Sequence, residues 1–178
     1  MTVRHANRQP RARECSWRQR DKITRYEDYF VDCYWDYLRA LVPADSRLVA
    51  SQTNPTPGAW LFSGADEDGA TTIAPGAADS LSLETLVVVP MGEERQTTFR
   101  YYLPAGTVAP AGDGWRYRLT IQKQPGLGGL PIAVEIRLPP HARLRQAVPA
   151  FTRQEGNDVV YALRLDRDKQ IDLAFTTL

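Results

Sequence analysis

Hydrophobic and polar residues alternate along several stretches of this sequence, so that every second side chain falls on the same side. The alternation is strict in residues 115–122 and recurs in 132–138, 159–165 and 171–175. A period of two is typical of β-strands with one buried face, and strands of a buried parallel sheet would be apolar on both faces. We therefore predict an all-β protein, an antiparallel two-sheet β-sandwich that is immunoglobulin-like or related.

Two pairs of neighbouring strands are predicted to form hairpins. The polar turn Asp166–Lys169 separates the last two alternating stretches, which we expect to pair with each other. The apolar run Leu86–Val89 and the alternating stretch Thr97–Leu103 flank Pro90 and Gly92, and we predict a second hairpin there.

The segment before Pro43 fits two patterns. Acidic residues recur there every four positions, as on one face of a helix: Asp28, Asp32 and Asp36. The aromatic residues around Trp35 instead favour a strand. We predict a strand from about Cys33 to Val42, preceded by at most a short helical turn near residues 24–32.

The length of the chain is sufficient for one buried core, and we expect residues 1–178 to form a single sandwich domain. Residues 64–80, rich in Gly, Ala and Asp, are predicted to be a long flexible loop. Because residues 2–7 already have the pattern of a strand, we expect the domain to be the C-terminal portion of a longer protein.

Charge and hydropathy narrow the classes of partner. The chain has 22 Lys and Arg against 21 Asp and Glu, a net charge of +1, which argues against a nucleic-acid-binding module. No apolar run is long enough to predict a membrane-spanning helix. The arginine-rich residues 1–13 have no apolar centre and do not resemble a secretory signal.

The sequence has two cysteines, Cys15 and Cys33. Two free buried thiols and a disulfide are both compatible with their spacing. A disulfide would close a loop of about 19 residues and contribute about 3 kcal/mol.

Residues for catalysis or metal binding do not form a recognisable set. His5 and His141 are the available imidazole bases, and neither belongs to a catalytic motif. The acidic loop Asp66–Gly69 could contact calcium but lacks the remaining ligands, and the glycine-rich segment 126–129 lacks the helix that an anion site requires. A hydrolase with catalytic carboxylates at Asp28, Asp32 or Asp36 is a weaker hypothesis. We expect no catalytic residue, metal or cofactor.

Aromatic residues suggest one ligand site. Trp17 and Trp60 lie beside loop residues and are predicted to be exposed, as a platform for stacking sugar rings. Trp115 and Tyr117 fall on the apolar side of their strand, where aromatic residues mostly fill a core.

One block of sequence resembles a known family. The residues that carry the resemblance are Tyr34–Leu48, Leu86–Pro90, Thr98–Pro104 and Tyr117–Gly126. They are similar to the C-terminal β-domain of bacterial envelope proteins with an N-terminal membrane anchor, a family catalogued as a domain of unknown function. The likeness spans roughly residues 34–138, and its most specific part is Ile121–Gly126.

The resemblance implies a location outside the cytoplasmic membrane, where a Cys15–Cys33 disulfide would persist, with any membrane attachment through a missing N-terminal anchor. We therefore expect a non-catalytic structural or adhesion module whose partners are other envelope proteins or polysaccharide. The alternative is a carbohydrate-binding module that recognises cell-wall or extracellular polysaccharide.

Overall fold

The structure, a computed structural model, divides the chain into two compact units, Met1–Pro104 and Ala105–Leu178. It describes residues 1–10, 13–17, 25–124, 126 and 128–177, and of residues 29–31 it describes the backbone alone. Each unit has two sheets and a buried cluster of its own.

The described residues of unit 1, Met1–Pro104, form six strands in two antiparallel sheets. The strands are β1 (Thr2–Ala6), β2 (Tyr34–Pro43), β3 (Arg47–Gln52), β4 (Thr72–Pro75), β5 (Ser80–Val89) and β6 (Glu94–Tyr102). One sheet has the order β1-β6-β3 and the other the order β2-β5-β4. Two 3-10 helices, Tyr26–Val31 and Gly58–Trp60, lie in the connections.

The core of unit 1 joins its two sheets. Ala40 and Val42 of β2 and Leu83 of β5 are buried against Phe99 of β6, which belongs to the other sheet. These residues fall on one face of their strands because strand side chains alternate in direction. The contact between apolar faces of two sheets is the packing of a β-sandwich.

Unit 2, Ala105–Leu178, has the same kind of core. Its strands are β7 (Val108–Ala111), β8 (Gly114–Ile121), β9 (Leu130–Arg137), β10 (Arg143–Val148), β11 (Arg153–Glu155), β12 (Asp158–Leu165) and β13 (Lys169–Thr176). The sheets have the orders β10-β13-β8-β7 and β11-β12-β9. Val159 and Tyr161 of β12 pack against Ile171, Leu173 and Phe175 of β13, across the two sheets.

The all-β antiparallel sandwich predicted from the alternation is confirmed. The strand expected from Cys33 to Val42 is β2, and the short helical turn near residues 24–32 is the 3-10 helix Tyr26–Val31. Residue 24 lies outside the described residues. In the described part of the chain, no helix is long and apolar enough to cross a membrane.

Both predicted hairpins are wrong. β5 and β6 belong to different sheets, and so do β12 and β13. The short segments 90–93 and 166–168 carry the chain from one sheet to the other. Alternation shows which face of a strand is buried but not which strand lies beside it, and a sandwich offers two partners for every buried face.

The segment 64–80 is also not a loop throughout. Thr72–Pro75 form β4, which pairs with β5 in the register Thr72 to Glu84. The β-branched pair Thr72-Ile73 gives this short stretch strand propensity that its glycine-rich surroundings conceal.

Candidate functional site

A cluster of aromatic residues lies on the sheet face of unit 1 that points away from its sandwich core. Trp35 of β2 lies opposite Val88 of β5, and their side chains point to the other face of the sheet from those of Ala40 and Val42. Trp35 and Val88 pack against Cys15, Cys33 and Trp60, which come from the long connections after β1 and β3.

A disulfide between Cys15 and Cys33 holds this cluster together. The sequence left free thiols and a disulfide as alternatives, and the structure has the disulfide. Both cysteines are buried. The bond ties residues 13–17 to the start of β2, and so fixes Trp17 beside Trp35.

Trp17 and Phe62 are the exposed rings of the cluster. Trp17 is 40% exposed and Phe62 is 81% exposed. The Trp17 ring lies 6.3 Å from the Trp35 ring and 6.5 Å from the Phe62 ring, with interplanar angles of 83° and 79°. These edge-to-face contacts are a favourable geometry for aromatic pairs. The exposed rings therefore form a corner rather than one flat platform.

The tryptophans considered from the sequence differ in how far the structure exposes them. Trp17 is at the surface, whereas Trp60 is half-buried against the disulfide. Trp115, expected to be buried with Tyr117, is 39% exposed because it lies at the start of β8, next to edge strand β7. Phe62 was missed by the sequence reasoning, because it is a single aromatic residue in a segment without periodicity.

The loop that carries Phe62 is tied back by its own acidic residues. Asp66 Oδ1 accepts a hydrogen bond of 2.6 Å from the Gly58 N–H, and Asp68 Oδ1 accepts one of 2.7 Å from Ala70. A Cβ at Gly58 would lie 2.4 Å from the Gly64 carbonyl oxygen, so this close approach requires glycine. Within the described ranges, no group of acidic, His or Cys residues could hold a metal ion.

The three aspartates do not share one face. Asp28 lies in the 3-10 helix, buried Asp32 follows that helix, and Asp36 lies within β2. Asp32 Oδ1 is 3.4 Å from Arg13 Nε and accepts the Cys33 N–H at 2.7 Å. An acid pair on a helix, as a glycosidase would need, is therefore absent from this row.

His5 forms a polar contact between the two sheets of unit 1. Its Nε2 is 3.2 Å from Asp36 Oδ2, and its ring stacks on Tyr34 with 5.9 Å between ring centroids. Burial, and to a smaller extent the charge of Asp36, raise the pKa of Tyr34.

His141 lies in the turn between β9 and β10, with φ of 64°. The glycine-rich segment 126–129 connects β8 to β9, so no helix follows it. Gly126 has φ of 82°, as position i+2 of a type II turn requires, while Pro125 and Leu127 lie outside the described residues.

Comparisons with known proteins give no relative from which a role could be transferred. The chain matches no family model, no curated protein and no solved structure.

Proposed function

We propose that this protein is a non-catalytic, extracytoplasmic module that serves a structural or adhesion role in a bacterial envelope. The observation that carries the proposal is the Cys15–Cys33 disulfide with the exposed Trp17 and Phe62 rings held beside it. Disulfides persist in oxidising compartments outside the cytosol, and exposed aromatic residues are typical of binding surfaces.

The arrangement of titratable residues supports a non-catalytic role. His5 contacts Asp36 and Tyr34, while His141 belongs to a turn of the other unit. The three aspartates lie in the 3-10 helix, in the link after it and in β2, and Asp32 is engaged with Arg13 and the backbone. A catalytic set requires a base, its orienting group and a reacting group in one place.

The location is tested by the thiol state of the protein in producing cells. Intact cells are treated with a membrane-permeant maleimide and lysed under denaturing conditions. One sample of the lysate is then reduced and labelled again with maleimide, a second sample is labelled again without reduction, and the mass of the protein in each is measured by mass spectrometry. The proposal predicts labelling of both cysteines only after reduction. Complete labelling without reduction would show a reducing compartment and contradict it.

Carbohydrate recognition is the second candidate function. It is favoured by the exposure of Trp17 and Phe62, because the C–H face of a sugar ring packs on aromatic faces. The opposing consideration is that the two rings are nearly perpendicular, so each would contact a different sugar face.

A further inference from the structure

Units 1 and 2 share one arrangement of six strands. In unit 1 the order is β1-β6-β3 over β2-β5-β4, and in unit 2 it is β8-β13-β10 over β9-β12-β11. Along the chain, the six strands of each unit are assigned to the two sheets in the same order. β7 is the additional strand of unit 2.

The register of the strands also repeats. Leu48 of β3 lies opposite Tyr101 of β6, and the next pair joins Ala50 to Arg100, so β3 has one extra residue between the two pairs. Leu144 of β10 lies opposite Phe175 of β13, and the next pair joins Gln146 to Ala174, so β10 also has one extra residue between them. A bulge at the same place in both units is a specific feature of a shared fold.

The turns before these strands agree as well. Asp45 and His141 have φ of 65° and 64°. In each turn a backbone N–H donates a 3.1 Å hydrogen bond to the carbonyl oxygen three residues earlier. Ser46 donates to Pro43, and Ala142 donates to Pro139. Unit 2 is therefore an internal reference for what the fold itself needs.

Against that reference, two connections of unit 1 are much longer. Residues 7–33 join β1 to β2, where unit 2 uses 122–129, and residues 53–71 join β3 to β4, where unit 2 uses 149–152. β1 and β3 both run antiparallel to β6, so both long connections leave from the same end of the sheet. They meet at the contact between Trp17 and Phe62.

We infer that this end of unit 1, the corner formed by Trp17 and Phe62, is a ligand site for carbohydrate. The inference rests on the proposed interaction function and names its surface and ligand. Unit 2 closes the same sandwich without either long connection, so the connections are additions to the fold. Part of them is buried around the disulfide, whereas Phe62, which contacts the Trp17 ring, is 81% exposed.

The chemistry of the corner suits a sugar chain better than a standard protein interface. The loop that carries Phe62 also has the exposed side chains of Ser63, Glu67 and Asp68, which accept hydrogen bonds from hydroxyl groups. Two perpendicular rings offer far less apolar area than the roughly 800 Å² per partner of a standard protein interface.

The test is a pull-down of the full chain with insoluble peptidoglycan, chitin and cellulose, followed for any binder by a tryptophan-fluorescence titration with soluble fragments. We expect at least one of the three to retain the protein. Phe62→Ala and Trp17→Ala should each weaken binding about tenfold or more, while Trp115→Ala, which removes an equally exposed ring of unit 2, leaves it unchanged.

Phe62→Ala is the decisive variant, since so exposed a side chain can be removed without unfolding the protein, and circular dichroism checks this. Retention by none of the polysaccharides, or equal binding of Phe62→Ala and Trp115→Ala, would overturn the inference. The thiol state tests the envelope role independently of this result. Oxidised cysteines in cells would leave the envelope role standing even if no polysaccharide binds, and reduced cysteines would contradict it whatever the binding result.

Discussion

Asn7 is the residue that joins three parts of unit 1 by hydrogen bonds. Its Nδ2 donates to the Asp32 carbonyl at 2.9 Å and to the Val89 carbonyl at 3.2 Å, and its backbone N–H donates to Glu93. Asn7 is buried. Asn7→Ala removes a donor shared by two buried carbonyls, and we expect it to lower the free energy of unfolding by about 2 kcal/mol in urea titrations.

Asn54→Ala is the matched control for that substitution. Asn54 makes one exposed side-chain bond to the Gln96 carbonyl, so its loss should change stability by less than about 0.5 kcal/mol. Equal effects of the two substitutions would contradict the role given to Asn7.

Asp172 gives unit 2 a pH-dependent contact at the residue scale. Hydrogen bonds from Arg116, at 2.7 Å, and from Arg118 hold the pKa of Asp172 below its ordinary value. A carboxylate with a lowered folded pKa stabilises the protein above its unfolded pKa of about 3.9, and this stabilisation is lost as the pH falls through the folded pKa. Asp172→Asn should therefore flatten the acid limb of the stability curve. An NMR titration that gives Asp172 an ordinary or raised pKa would refute this.

At the scale of elements, the contact between β1 and β2 can be compared with its counterpart in unit 2. The strand registers place Ile121 and Ile132 at the positions of His5 and Asp36. Replacing a partly buried polar pair by apolar residues is often neutral, whereas removing one partner leaves the other unpaired. We expect His5→Ile with Asp36→Ile to come within about 1 kcal/mol of the wild-type stability. Each single substitution should cost more than the pair, and a double-mutant cycle with additive losses would contradict this.

The connection closed by the disulfide is the second element with a measurable role. Cys15→Ser with Cys33→Ser opens a loop with a sequence separation of 18 and should lower the free energy of unfolding by about 3 kcal/mol. Because Trp17 packs on Trp35 beside this bond, its fluorescence should shift to longer wavelength. Unchanged stability and emission would show that the disulfide does not organise the aromatic cluster.

Much of the element structure could be predicted from the sequence, but the strand partners could not. Alternation identifies β8, β12 and β13 because burial of one face leaves a period of two. It is silent on whether a short turn returns within one sheet or crosses to the other, and both predicted hairpins failed there. Of the candidate site, Trp17 and the two cysteines follow from residue type, whereas Phe62 depends on a loop whose shape is set by Gly58 and Asp66.

At the scale of the whole molecule, each unit buries an apolar cluster of its own. Phe99 belongs to the cluster of unit 1 and Leu173 to that of unit 2. Phe99→Ala should cost about 3–5 kcal/mol and Leu173→Ala about 2–5 kcal/mol, and their effects should add within about 0.5 kcal/mol because the two clusters have no described residue in common. A coupling energy well above 1 kcal/mol in urea or thermal unfolding would mean that the two clusters form one core.

The account as a whole depends on unit 1 having a binding end that unit 2 lacks. The most direct measurement is a ¹H–¹⁵N spectrum of the labelled full chain titrated with soluble fragments of peptidoglycan, chitin and cellulose. The account predicts that one of them shifts resonances in residues 13–17 and 58–68, with unit 2 unaffected. Shifts centred on unit 2, or none with any of the three, would contradict it.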